Sequence, residues 1–224
     1  VRALEVLAGA EPADTALLER LVAAYEALDD QTALDGAMAR LAGATRSEDL
    51  RARRWKAVAQ HRERALNDPS GAIEALERVL TDEPANLGAL EEVARLHEAQ
   101  GAWHAVIATL DRMGANAGIP GLREELMLRA APILADRLDR PADALQLWAS
   151  YADGADVDDG VLAAMRDAAA RCDGWLVYAA TVRKVVLRRD AAAPALPPQP
   201  PPPVPGTRSA AGVAAPVDAE PLDD

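Results

Sequence analysis

A chain of 224 residues with a formal net charge of −12, 27% charged residues, 3% aromatics and no Phe has room for one or two compact domains, or for one elongated array. Its acidity repels nucleic acid and anionic membranes, its single cysteine, Cys172, makes neither an internal disulfide nor a cysteine metal cluster, and no apolar run reaches the roughly 18 residues of a membrane span. What remains is a helix-rich polypeptide with a cytoplasmic character, in which protein partners are expected and nucleic acid is not.

The first element, from Val1 to about Gly9, carries Leu4 and Leu7 on one side and reads as half of a helix pair. Its apolar face lacks an upstream partner, so the array is expected either to be part of a longer one or to use that face for association. Displacing the sequence by 72 residues superposes its apolar pattern without gaps. Leu4 falls on Leu76 and Trp148, Leu18 on Leu90 and Leu162, Leu21 on Val93 and Met165, and Met38 on Leu110 and Val182. Identity elsewhere is poor, as expected where packing is shared and surfaces have diverged.

In the middle copy, apolar spacing of three and four predicts helices at about 48–66, 70–81, 87–100 and 102–113. Asp68 with Pro69, and Asn86, are suited to start helices, and Gly101 to end one in a left-handed residue; Asp14, Asp139 and Asp158 stand where other caps are needed. Farther on, Pro132 falls within an expected helix at 122–137, which it must kink or divide. Trp103, Trp148 and Trp175 are expected in the core, whereas Trp55 opens a helix among Arg51, Arg53, Arg54 and Lys56 and is expected half exposed.

From Ala191 the composition changes: ten prolines occur in the last 34 residues, and a net of −3 in this tail leaves −9 on residues 1–190. A core cannot be built from such a segment. Residues 196–204 are expected to be extended polyproline II, and the tail, 191–224, a disordered spacer or a ligand for a proline-binding module.

The stretch Leu90, Val93, Ala94, His97, Gly101, Trp103, Val106, Leu110, Met113, and with it Ala72, Leu76, Val79, Leu80, Pro84, resembles the tetratricopeptide pattern, in which large and small residues of two antiparallel helices interlock. The units fall at about 15–48, 53–86, 87–120, 125–158 and 159–190, and family glycines are replaced by Gln60, Pro132 and Arg166. This resemblance implies an all-α, right-handed solenoid of stacked helix pairs over residues 1–190, and a non-catalytic scaffold that binds a peptide or protein segment on its concave face. The abundance of Arg and Ala, with Lys56 and Lys184 the only lysines, points to a GC-rich bacterial coding sequence. A second reading makes the array a structural or regulatory segment of a larger protein whose enzymatic or signalling domain lies upstream.

Chemistry is not expected. His61, His97 and His104 have no metal-ligand spacing, no phosphate loop or nucleophile elbow is present, and neither a cofactor nor a catalytic residue is assigned. His97 stands at a packing position of the repeat, with His61 and His104 expected nearer solvent. The resemblance places the first helix of each pair on the concave face, and with it Arg54, His61, Arg64, Arg95, Arg129, Arg137 and Arg171. Forked guanidinium donors in a groove suit an acidic peptide or a C-terminal carboxylate. On the same face lie Glu19, Glu26, Glu91, Glu98, Asp136 and Asp167, so the arginines are alternatively neutralised within the chain at little energetic value.

Overall fold

The computed structural model describes residues 1–115 and 119–192; the proline-rich segment beyond them lies outside the described residues. Eleven helices follow one another with no strand among the described residues: α1 (Arg2–Ala10), α2 (Thr15–Leu28), α3 (Gln31–Ala44), α4 (Glu48–Arg64), α5 (Pro69–Asp82), α6 (Leu87–Ala99), α7 (Trp103–Ala115), α8 (Leu122–Pro132), α9 (Pro141–Gly154), α10 (Asp159–Cys172) and α11 (Trp175–Ala192). A five-residue π-helical turn, Ile133–Arg137, continues α8. Successive helices pack as the pairs α2/α3, α4/α5, α6/α7, α8/α9 and α10/α11, and α1 stands against α2 as the half unit. The chain is a solenoid of stacked helix pairs.

Why the helices begin and end where they do is visible in the backbone. Asp14, Asn86 and Asp158, each 72 residues after the last, accept backbone N–H groups at the starts of α2, α6 and α10. A side-chain acceptor at such a position is worth about 1 kcal/mol, because it satisfies a donor that has no intrahelical partner. The ends obey the same period. Asp29, Gly101 and Asp173 take left-handed conformations after α2, α6 and α10, and Asn67 and Asp139 do so after α4 and the π turn. Each first helix is closed by an N–H reaching a carbonyl five residues back: Asp30 to Tyr25 (3.3 Å), Leu66 to His61 (3.4 Å), Ala102 to His97 (2.9 Å), Leu138 to Ile133 (3.1 Å) and Gly174 to Ala169 (2.9 Å).

That register corrects the expectation for Asp139. It is the counterpart of Asn67, the left-handed residue, rather than of the cap Asp68; the cap position of α9 is taken by Arg140, which makes no side-chain cap bond. Pro141 at the first turn has no N–H to satisfy, which lowers the need for a cap there. Pro132 divides its helix as one of the two alternatives required: α8 ends on it, and the π turn absorbs the missing donor before the chain closes with the bonds of the middle copy.

The core is distributed along the array. Its largest cluster joins α3 to α8 through Val58, Leu76, Val79, Leu90, Val93, Val106 and Leu110, and a second continues through Leu134, Leu145, Trp148 and Met165. Large and small residues alternate, with Ala72, Ala75, Ala89 and Ala130 giving the long side chains room to interlock. Trp148 is buried and Trp103 half-buried, as is Trp55, which packs on the core rim. Trp175 is a correction: it opens the last described helix, no later helix among the described residues packs over it, and it is 46% exposed, its ring edge-on to Tyr178 at 6.2 Å.

Candidate functional site

The first helices α2, α4, α6, α8 and α10 form one face, and the structure places the seven predicted residues on or beside it in three different situations. Four arginines are committed within the chain, each to an acid of the preceding unit. Arg54 of α4 holds Glu19 of α2 and donates to Thr45 Oγ1 at 2.6 Å. Arg95 of α6 reaches Glu63 of α4 at 2.7 Å and its own neighbour Glu92 at 2.8 Å. Arg129 of α8 grips Glu91 and Glu98 of α6 at 2.6 and 2.8 Å. Arg171 of α10 reaches Asp139 at 2.8 Å and Asp136 at 3.2 Å, and donates to the Ala135 carbonyl at 2.6 Å.

These four contacts make a ladder in which every step from one first helix to the next is crossed by a guanidinium. The hydrogen bonds that Arg95 donates to Glu63 and Glu92 raise it above its ordinary value, and those that Arg171 donates to Asp139, ahead of Asp136, do the same for Arg171. Burial lowers Arg129, but its bonds to Glu98 and Glu91 outweigh this and leave it raised. Exposed pairs of this kind contribute roughly 0–1 kcal/mol each, so the ladder sets register more than it adds stability.

Two more residues serve neighbours. His61, expected nearer solvent, is half-buried with Nε2 3.0 Å from the Gln31 carbonyl, because α4 packs back onto the start of α3. Arg137 lies with its guanidinium 5.0 Å from the ring centre of Trp103, a cation–π contact that ties the π turn to α7. His97 is half-buried as its packing position requires, with Nδ1 enclosed and without a hydrogen-bond partner, and His104 is exposed.

Arg64 differs. It is exposed on the last turn of α4 and, among the described residues, forms no ion pair; Lys56, two turns earlier on the same side, is likewise unpaired. Both line a groove of about 460 Å³ between α4 and α6. Buried Ala59, Ala72, Leu76, Ala89 and Leu96 make its apolar floor, and Gln60, Glu63, Glu92 and Arg95 complete the rim. The structure therefore brings together Arg64 and Arg95 of the predicted set and distributes the other five along the ladder and its flanks. Lys56, Gln60 and Gly88 were missed by sequence reasoning. The available signal was the run of small residues Ala59, Gly88 and Ala89 where two first helices face each other, since small side chains there leave a space that larger ones would fill.

Among the described residues no three His, Cys, Asp or Glu side chains converge as metal ligands do, and no helix is long and apolar enough to cross a membrane. No protein-family model matches the sequence, and no curated protein matches it. Among solved structures, a crystal structure of MamA protein aligns over 82% of this chain and 98% of that chain, with a TM-score of 0.43 and 11% sequence identity.

Proposed function

We propose that this chain is a non-catalytic, tetratricopeptide-like scaffold whose α4–α6 groove binds an acidic segment of another protein. The observation that carries the reading is the groove itself: an apolar floor flanked by two cations, Lys56 and Arg64, that no acid among the described residues pairs with, on a surface where the other first-helix arginines are largely engaged. An incoming carboxylate gains charge-assisted bonds from Arg64 and Lys56 without first displacing an internal partner. The floor accepts an aliphatic side chain next to it. Such an arrangement recognises and holds; nothing in it positions a nucleophile, a general base and a reacting bond together.

A fluorescein-labelled peptide bearing adjacent aspartates tests this by anisotropy at low salt, with a lysine-substituted peptide as control. The groove is expected to favour the acidic peptide, and Arg64→Glu with Lys56→Glu to weaken it at least tenfold. Gly88→Trp provides a steric block: Gly88 is exposed in the first turn of α6, and a Cβ there meets only Asn86 Oδ1, at 3.5 Å, so the fold accommodates it while the groove is filled. Equal binding of both peptides, or full binding by Gly88→Trp, removes the proposal. A purely structural array is the second reading, favoured by the commitment of Arg54, Arg95, Arg129 and Arg171 to internal acids, and it predicts that no peptide binds.

A further inference from the structure

One line of α11 carries side chains that its counterparts lack. Leu176, Ala180, Arg183 and Leu187 follow at helical spacings of four, three and four, and so share one stripe along the helix. All four are exposed, Leu176 by 88% and Leu187 by 59%. The 72-residue register sets them against His104, Ala108, Asp111 and Ala115 of α7, and against Thr32, Gly36, Ala39 and Gly43 of α3. In α7 each of these positions is exposed, and in α3 only Ala39 is half-buried, although a further helix, α8 or α4, packs beside each. Stacking of the array therefore leaves this line uncovered. Small or polar residues suffice there in α3 and α7; the two leucines of α11 answer to something other than a neighbouring unit.

A second copy of the helix suits the stripe poorly. An antiparallel pairing that sets Leu176 against Leu187 has its two-fold axis between residues 181 and 182, and brings the two Arg183 side chains to within about one turn of each other, where like charges repel. An uncharged occupant is required. Residues 196–205 comprise Leu196, Gln199, Val204 and otherwise proline, with no charge.

We infer that this stripe is the seat of residues 197–205 of the same chain, laid back along α11 as a polyproline II segment. Length permits it. Helix α11 ends at Ala192, which lies 16 residues, or about 24 Å, beyond Leu176. Residues 193–205 span about 40 Å at the polyproline II rise, enough to reverse direction over 193–196 and return past both leucines. With three residues per turn, residues 197, 200 and 203 form one edge and 198, 201 and 204 the next, and both edges consist of proline and Val204 alone. Gln199 falls on the third edge, toward water. Proline has no N–H to satisfy and its backbone is already fixed, so covering the leucines costs little ordering. Attachment to the end of α11 holds the segment at high effective concentration beside the stripe. Arg183 lays its aliphatic stem along the prolines and keeps its guanidinium in solvent.

Bimane, a dye whose emission tryptophan quenches on contact, reports the docking when attached to the full chain through Gln199→Cys in a Cys172→Ser background. Trp175 is the quencher, since it adjoins Leu176 and is itself exposed. Emission is expected to be at least twofold weaker than in the same protein carrying Trp175→Phe, to rise to that level with Leu176→Glu and Leu187→Glu together, and to stay unchanged on dilution. Both leucines face solvent, so the glutamates stay out of the core, and thermal melts verify the fold. Replacing Pro200, Pro201, Pro202 and Pro203 by Ser leaves α11 untouched and is expected to release the dye in the same way. Equal emission with and without Trp175, or quenching that survives both sets of replacements, overturns the inference. Quenching that disappears on dilution overturns it too, because the occupant is then the same segment of a second copy.

Discussion

The middle copy, α4 to α7, and the third, α8 to α11, follow one backbone plan with different side chains. Left-handed residues and closing hydrogen bonds recur at the 72-residue step, whereas Gln60 becomes Pro132, the cap Asp68 becomes Arg140, and half-buried Trp103 becomes exposed Trp175. The difference teaches that such an array specifies itself through helix termini and a few buried contacts. Between those fixed points the side chains vary, on the grooves between first helices as elsewhere.

Truncating equivalent core residues breaks this comparison most forcefully. Leu90 is fully buried and Leu162, its counterpart, half-buried; Leu90→Ala is expected to cost about 2–5 kcal/mol in chemical denaturation, and Leu162→Ala clearly less. Equal losses would mean that the third copy is packed as tightly as the middle one. Next comes the junction before the final helix, where Gly174 replaces Ala102. A Cβ on Gly174 would sit 2.4 Å from Leu145 Cδ2 and 3.0 Å from Cys172 Sγ, so Gly174→Ala is expected to cost about 1–3 kcal/mol by overpacking. Ala102→Gly should stay under about 1 kcal/mol, and the contrast is read from paired melting curves.

The uncapped helix offers a change of opposite sign. Asp68 and Arg140 have nearly the same backbone, φ −111° and −117°, but only Asp68 accepts an N–H. Arg140→Ser is expected to stabilise the chain by about 0.5–1 kcal/mol, and Asp68→Ala to destabilise it by about 1 kcal/mol. The smallest effect concerns pH. A hydrogen bond from Arg51 at 2.6 Å holds the Asp82 carboxyl below its ordinary value; the corresponding positions in the third copy are Arg123 and Gly154, which cannot form that pair. A carboxyl lowered in the folded state contributes stability above its unfolded pKa and loses it as the pH falls through the folded one. Asp82→Asn should therefore lower stability slightly at neutral pH and flatten its decline on the acid side; Arg123→Ala should leave that decline unchanged.

Helix existence and pairing were legible because apolar spacing and polar caps vary together: Asp14, Asn86 and Asp158 each precede a buried leucine or methionine stripe. Boundaries fell within a residue or two for α4 to α7. Asp139 reads as a cap because an acid just ahead of a helix-starting proline resembles one, but it stands two residues before Pro141, and only the closing bond of the preceding turn distinguishes the two roles. Register places Trp175 in the core, but register describes a repeat with neighbours on both sides, and among the described residues α11 packs only against the helices before it. For the candidate site, the sequence placed Arg54, Arg95, Arg129 and Arg171 on first helices and offered acids of the chain as their alternative partners, with which the structure pairs them. It did not distinguish Arg64 from Arg95, since engagement with an acid one unit away depends on the step between first helices, a distance that no local pattern encodes.

The guanidinium ladder also has a mechanical meaning. Each rung joins only adjacent units, from Glu19–Arg54 to Asp136–Arg171, and all lie on the same face. A force that splays that face loads the rungs in series and one that closes it leaves them slack, so the array resists the two senses of bending unequally. The stiffer sense is the one governed by ionic strength, because the charges that oppose it are at the surface and within reach of counterions.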